Sequence, residues 1–199
     1  GDGGEAMEDT NTDRTTLTPR TTYGMTKVIC ELLVNDYSRK GFFDGRSARL
    51  PTVIIRPGKP NAAASSWASG MFRDPLRGET CTLPVYRDQC HPMTGYRTVI
   101  DSLIALHEVP ENRLSDDRAF VLPAHRVTPR LAEAVLRTVA AERGLRLGLI
   151  VDAFDARIQG LVSNWPVSVD GARAVALGLP QPPELMVIVE QFLEDFGGA

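Results

Sequence analysis

A short apolar run in the first third of the chain constrains the fold most. Residues Thr52 to Ile55 are β-branched or apolar without interruption, which is typical of a strand buried on both faces in a parallel sheet. Pro57, Gly58 and Pro60 follow at once and predict an abrupt end to this strand. We therefore predict an α/β fold that contains a parallel sheet.

A long helix is predicted just before this strand, ending near Lys40. Thr18 is a candidate N-cap because Pro19 would follow it at the first helical position, and Thr22 is a second candidate. Gly41 suits the position after the helix. The apolar stripe at helical spacing consists of Val28, Ile29, Leu32, Leu33 and Tyr37.

The first turn of this helix carries Tyr23 and Lys27, which lie on one face because they are four residues apart. A free phenol titrates near pH 10 and is a poor base at neutral pH. An ammonium at about 4 Å stabilises the phenolate by roughly 4 kcal/mol at an effective dielectric constant of about 20. Tyr23 could then act as a general base. A surface tyrosine packed beside a lysine stem is the alternative interpretation.

The context of this pair resembles the extended short-chain dehydrogenase/reductase superfamily, also called the NAD-dependent epimerase/dehydratase superfamily. There, a Tyr-x-x-x-Lys helix precedes a strand that ends in Arg-Pro, as in residues 18–27 and 50–58 here. The string at 55–61, Ile-Arg-Pro-Gly-Lys-Pro-Asn, with 41–45 and 49–51, is similar to members that oxidise a four-carbon sugar acid. The resemblance runs from about Leu17 to the C-terminus and is dense through Gly78.

The resemblance implies site residues and a cofactor, NAD. Tyr23 and Lys27 are expected to be catalytic and, with Pro57 and Gly58, to contact NAD. In the family, Lys27 would also hydrogen-bond the nicotinamide ribose, and the Pro-Gly turn would form the wall beside the nicotinamide. A plain strand terminator is the alternative for that turn.

Two further residues, with Tyr23, are expected to contact the substrate. Asn61 could bind sugar hydroxyls or cap the next helix. Arg97 could hold a carboxylate or form a salt bridge at the rim. The residues Gly95-Tyr96-Arg97 stand where the resembled enzymes have Ser-Pro-Arg, so the arginine matches and the two residues before it do not.

The glycine-rich dinucleotide fingerprint is missing from this sequence. Gly1 to Gly4 follow no predicted strand and open no predicted helix. The serine that assists the tyrosine in the family would also lie upstream. We therefore expect residues 1–61 to form the C-terminal part of a dinucleotide-binding domain. Residues 62–199 are expected to form mostly the substrate domain, with 98–123 returning to the Rossmann sheet. The chain alone is expected to bind NAD weakly and to be inactive.

The composition bears on which ligands and which cellular compartment are expected. The chain has 199 residues, of which 43% are hydrophobic and 24% charged, with a net charge of -3. That charge gives no electrostatic case for binding nucleic acid or a membrane surface. Three scattered cysteines predict the reducing cytoplasm and no disulfide framework. Without a paired CxxC, Cys81, Cys90 and His91 are not expected to bind metal.

The rest of the chain is predicted to alternate short strands and helices. Strands are predicted at 82–85, 119–122 and 146–151, and a loop at 87–95. Helices are predicted at 62–77, at 99–106 with Leu103 and Leu106 buried, at 155–162, at 170–177 and at 184–196. A further helix is expected to be capped by Thr128, with Leu131, Val135, Leu136 and Val139 as its apolar positions.

Three functional interpretations stay open. The first is an NAD-dependent dehydrogenase of a small sugar acid, in carbohydrate metabolism. The second is a nucleotide-sugar epimerase or dehydratase on the same scaffold. The third is a non-catalytic fragment that survives as a dimerisation module. In the first interpretation the resemblance also implies a homodimer that pairs through the helix from Tyr23 to Lys40.

Overall fold

The computed structural model describes residues 10–58 and 64–197. Its strands are β1 (Thr10–Asn11), β2 (Ser47–Arg49), β3 (Thr52–Ile54), β4 (Cys81–Leu83), β5 (His91–Gly95), β6 (Ala119–Val121), β7 (His125–Val127), β8 (Ile150–Asp152) and β9 (Ser168–Val169). Its helices are α1 (Thr22–Arg39), α2 (Ser66–Leu76), α3 (Tyr96–Glu108), α4 (Pro129–Arg143), α5 (Ala156–Val162), α6 (Ala172–Ala176) and α7 (Leu185–Phe196), with a 3₁₀ turn at Glu111–Arg113.

Parallel pairing dominates the sheets. β2 pairs with β6, β3 with β5, β4 with β8 and β1 with β9, all in parallel. β7 adds an antiparallel strand to the other edge of β5. Parallel strands need crossover connections, and the helices between the strands supply them. The predicted α/β class is confirmed.

The main core lies between the sheet of β3, β5 and β7 and three helices, α2, α4 and α7. Its largest fully buried side chains are Ile54, Ile55, Met71, Phe72, Leu83, Met93, Leu136, Ile188 and Phe192. A smaller cluster forms where β6 meets α3 and α6, and it consists of Leu106, Val109, Phe120, Leu122, Ala174 and Leu179. Along the described residues, no helix is long and apolar enough to cross a membrane.

The N-cap of the long helix lies three residues after one predicted cap, Thr18, and one residue before the other, Thr22. Thr21 is the N-cap, and its Oγ1 accepts a hydrogen bond from the backbone N–H of Gly24 at 3.0 Å. Thr18 and Pro19 therefore lie before the helix. The predicted cap and first turn of α4 are confirmed, because Thr128 Oγ1 accepts from the N–H of Leu131 and Pro129 is the first helical residue.

The largest error of the sequence prediction concerns β5. Residues 91–95 form a strand that is buried along its whole length, not part of a loop. The residues His-Pro-Met-Thr-Gly have weak strand propensity, but β5 lies in the middle of its sheet, between β3 and β7. Tertiary contacts therefore decide its conformation.

Smaller errors concern burial and element ends. Leu103 and Leu131 are exposed on the outer faces of α3 and α4, whereas both were expected inside. The strands predicted at 82–85 and 146–151 are Cys81–Leu83 and Ile150–Asp152, and the helix predicted at 170–177 is Ala172–Ala176. The domain division at residues 61 and 62 falls outside the described residues and stays a prediction.

Candidate active site

The Tyr23–Lys27 pair lies in the first turns of α1. Thr21 caps the helix, which begins at Thr22. Tyr23 and Lys27 lie on one face of it because they are four residues apart. The ammonium Nζ of Lys27 stands over the phenol ring, 5.4 Å from its centroid. Tyr23 is 73% exposed, so its ring is open to a ligand. The two side chains are thus neighbours on one face of α1, while their catalytic role stays a prediction.

The Pro57–Gly58 turn follows β3 and is fixed to α2 through its backbone. Gly58 has φ of +94°, in the left-handed region that favours glycine. The N–H of Arg56 donates to Ser69 Oγ at 3.3 Å, and Ser69 Oγ donates to the carbonyl of Val53. The buried Arg73 donates to the carbonyl of Arg56 at 3.4 Å. The turn is thus supported by an adjacent helix, while its role at a nicotinamide stays a prediction.

Arg97 lies at the start of α3 and faces α7. Its Nε and Nη2 donate to the two carboxylate oxygens of Asp195 at 2.9 and 2.6 Å, and Nη2 also reaches Glu194 at 3.1 Å. The hydroxyl of Tyr96 contacts the same Asp195 carboxylate. Burial, followed by this hydrogen bond, raises the pKa of Tyr96 to about 12. Arg97 therefore carries the salt bridge that the sequence leaves open as its alternative role.

Asn61, the other predicted substrate residue, lies outside the described residues. Among the predicted site residues that are described, Tyr23 and Lys27 contact each other, Pro57 and Gly58 form one turn, and Arg97 belongs to a separate ionic cluster. The partners of Arg97 come from α7, almost a hundred residues later, so no local pattern in the sequence could reveal them.

A cleft of about 280 Å³ lies where the short sheets meet. The carboxyl ends of β2 and β6, at Arg49 and Val121, line it, as do the amino ends of β3 and β5, at Thr52 and His91. Trp165 forms part of another wall. In open α/β sheets, ligands bind in the crevice outside the carboxyl ends of the strands. The cleft meets this condition at β2 and β6, but it lies at the amino ends of β3 and β5, the end of β3 that is opposite to the Pro57–Gly58 turn.

His91, which the sequence analysis considers only as a metal ligand, is one of the residues that line this cleft. It is 5% exposed, and burial lowers its pKa to about 4, so the ring is neutral at physiological pH. A lone histidine in a predicted loop gives no signal of this environment. Only the pairing of β5 on both edges reveals it.

Comparison with known proteins supplies the family context. No family model matches the chain. It is 40% identical over 192 residues to the D-erythronate dehydrogenase of Haemophilus influenzae. The matched region covers 96% of this chain and 60% of that protein. It is 38% identical over 189 residues to the D-erythronate dehydrogenase of Cupriavidus necator, with 93% and 56% covered.

The chain is therefore similar to D-erythronate dehydrogenases over almost its whole length. The resemblance to the extended short-chain dehydrogenases/reductases is confirmed by these relatives. The chain spans little more than half the length of the relatives that it matches.

Solved structures agree with this homology. The nucleoside-diphosphate-sugar epimerase from Agrobacterium tumefaciens superposes with a TM-score of 0.87 at 36% identity, and the match covers 94% of this chain and 54% of that one. A holo form of an L-threonine dehydrogenase from Cupriavidus necator gives a TM-score of 0.77 at 25% identity, with 92% and 57% covered. The Rossmann-type fold of the homologues is therefore shared by this chain.

Proposed function

We propose that this chain forms part of an NAD-dependent dehydrogenase that oxidises the secondary alcohol next to the carboxylate of a small, erythronate-like sugar acid. The Tyr23–Lys27 pair carries the proposal, because it sits at the start of α1 in a homologue of D-erythronate dehydrogenases. Cytoplasmic location and a place in carbohydrate metabolism belong to the same proposal.

In this proposal Tyr23 removes the proton from the substrate hydroxyl. A phenolate is needed for that task, and a positive charge close to the oxygen favours it. The Lys27 ammonium, 5.4 Å from the centroid of the Tyr23 ring, is the group proposed for this role. The exposed ring of Tyr23 can reach a substrate without displacing other protein groups.

In the same proposal, Tyr23, Lys27 and the Pro57–Gly58 turn would hold the nicotinamide end of NAD. The backbone at Gly58 carries no Cβ and would leave room for a flat ring beside the Pro57–Gly58 turn. Lys27 could donate to the ribose, while Tyr23 would contact the reacting hydroxyl. When bound, NAD would accept the hydride from the carbon whose hydroxyl proton Tyr23 removes.

The carboxylate of the sugar acid needs a cationic partner, because an unpaired buried charge is costly. Arg97 remains the candidate on sequence. Its guanidinium is paired with Asp195 and Glu194, so the substrate carboxylate would have to replace one of them. If it does, Arg97→Ala should raise KM for the acid several-fold or more and leave kcat closer to normal.

The helix α1 is also proposed to form a homodimer contact. Its stripe of Ile29, Leu32 and Leu33 is exposed, with side chains between 48% and 60% accessible. Neighbouring exposed apolar side chains on one helix face are typical of a surface that contacts a partner.

Nucleotide-sugar epimerisation is the second candidate, because the Agrobacterium structure with a TM-score of 0.87 is described as a nucleoside-diphosphate-sugar epimerase. A panel of aldonates and nucleotide-sugars decides between the two, with NADH absorbance and product analysis on the complete protein. We expect NADH formation with a four-carbon aldonate and little with the neutral alditol. Epimerisation of a nucleotide-sugar, with no NADH from any aldonate, would refute the proposal in favour of the second candidate.

A further inference from the structure

Glu31 lies one helical turn after Lys27 on α1, at a spacing that commonly gives an ion pair. Side chains of a helix tilt towards its N-terminus, so the Glu31 carboxylate could reach the turn that carries Lys27. Among the described residues, however, Lys27 makes no ion pair. Its Nζ lies over the ring of Tyr23, 5.4 Å from the centroid.

The Glu31 carboxylate is bound by Arg49 of β2 instead. Nε and Nη2 of Arg49 donate to its two oxygens at 2.8 and 2.5 Å. Nη1 donates to the backbone carbonyls of Thr12 and Asp13 at 3.5 and 3.2 Å, which fixes the orientation of the guanidinium. The Glu31 side chain is 12% exposed and that of Arg49 is 21% exposed. Both carboxylate oxygens are thus held in a largely buried, bidentate pair, the strong form of such a contact.

Loss of the guanidinium would leave this carboxylate largely buried and without its partner, which is costly for a charged group. The nearest cation along α1 is Lys27, four residues away. An ammonium that turns towards Glu31 moves away from Tyr23, and it then favours the phenolate less because the attraction falls with distance.

We propose that Arg49 is a positioning residue, which holds the Glu31 carboxylate so that Lys27 stays free to act on Tyr23. The expected effect on turnover rests on the proposed function. The expected effect on the contact between Lys27 and Glu31 does not.

The alternative is that the Arg49–Glu31 pair only anchors α1 to the rest of the protein. Other polar contacts do this, since Asn35 Oδ1 accepts a hydrogen bond from the backbone N–H of Arg118 at 3.0 Å. The two roles differ in the effect of removing the acid. An anchor fails when either partner is lost, whereas Lys27 can be captured only while the carboxylate is present.

Carbodiimide crosslinking of the complete protein tests the contact without any turnover. The reagent joins a carboxylate and an ammonium that touch, as an amide with loss of water, and peptide mass spectrometry locates the bond. We expect a Lys27–Glu31 crosslink in Arg49→Leu and little or none in the parent protein. Arg49→Lys keeps the charge but not the two-pronged geometry, so it should give an intermediate yield.

Turnover of a four-carbon aldonate with saturating NAD tests the consequence. Arg49→Leu should lower kcat roughly tenfold, because the ammonium no longer favours the phenolate. Glu31→Gln should stay near the parent kcat. Added to Arg49→Leu, it should restore most of the lost turnover, since no carboxylate remains to capture Lys27.

Arg87→Leu is the matched control for a loss of stability alone. Arg87 is also half-buried and is paired with Glu133 of α4 and Asp152 of β8. We expect this variant to lose stability in urea denaturation and to keep the parent kcat.

Three kinetic results would overturn the proposal. In the first, Arg49→Leu keeps the parent kcat while Lys27→Met loses it. In the second, Glu31→Gln loses as much turnover as Arg49→Leu. In the third, the double variant stays as slow as Arg49→Leu. Absence of the Lys27–Glu31 crosslink in Arg49→Leu would overturn it as well.

Failure of the proposed function would look different. Lys27→Met would then keep normal turnover, or no aldonate would yield NADH. The Lys27–Glu31 crosslink would still form in Arg49→Leu and be absent from the parent protein.

Discussion

The helices α1 and α2 contrast sharply in how their apolar residues are used. In α2, eight of eleven residues are buried, among them Met71 and Phe72 in the main core. In α1, which is longer and has the wider stripe in sequence, Ser38 is the one buried residue of eighteen. An apolar stripe therefore predicts a helix reliably but does not show that the same chain buries it. In the part of the chain that the structure describes, the helix that carries Tyr23 and Lys27 leaves most of its apolar side chains exposed.

The largest expected effect comes from truncating a core side chain of α2. Phe72→Ala should destabilise the protein by about 3–5 kcal/mol, because the fully buried ring leaves a cavity. Leu32→Ala in α1, where the side chain is 60% exposed, should change stability by less than about 0.5 kcal/mol. Urea denaturation followed by circular dichroism measures both. Equal losses of unfolding free energy in the two variants would contradict the difference in burial between α1 and α2.

The next largest expected effect is a loss of folding stability at acid pH that depends on His91. Burial lowers its folded-state pKa to about 4 from an ordinary value of 6.5. The unfolded chain therefore binds a proton between these values that the folded chain does not. The stability contribution of the neutral ring is complete above about pH 6.5 and is lost as the pH falls towards 4, by about 3 kcal/mol at most.

The His91 prediction can be checked from unfolding free energies at pH 7, 6, 5 and 4.5. In His91→Leu the loss between pH 7 and 4.5 should be smaller than in the parent protein, because the titrating ring is gone. His107→Leu is the matched control, since that histidine is exposed, and it should follow the parent curve. Parallel curves for all three proteins would contradict the buried neutral histidine.

The smallest effect on stability, but a large one on association, is expected on the outer face of α1. Leu32→Glu and Leu33→Glu should leave the fold intact and convert a dimer to a monomer in light scattering. Leu149→Glu provides the matched control, because Leu149 is 68% exposed and lies outside α1. If both α1 variants are folded and remain dimeric, this face is not the dimer interface.

The sequence predicts the elements whose signals are local. The cap at Thr128, the helix α7 and the strand at 52–54 follow from capping residues, periodicity and β-branched runs. It fails at β5, because the strand conformation of His91 to Gly95 depends on β3 and β7 at its two edges. The Tyr23–Lys27 pair is predictable because four-residue spacing on a helix is local. The Arg97–Asp195 pair and the surroundings of His91 are not, because they join distant segments.

The central claim is that Tyr23 is the general base, and turnover of Tyr23→Phe in the complete protein tests it most directly. With a four-carbon aldonate and saturating NAD, we expect kcat to fall at least about 100-fold, with an unchanged Tm because the side chain is exposed. Lys27→Met should lower turnover as well, and Lys27→Arg should not restore it fully. Tyr86→Phe, at another exposed tyrosine, should retain normal activity. A near-normal kcat in Tyr23→Phe would contradict the account.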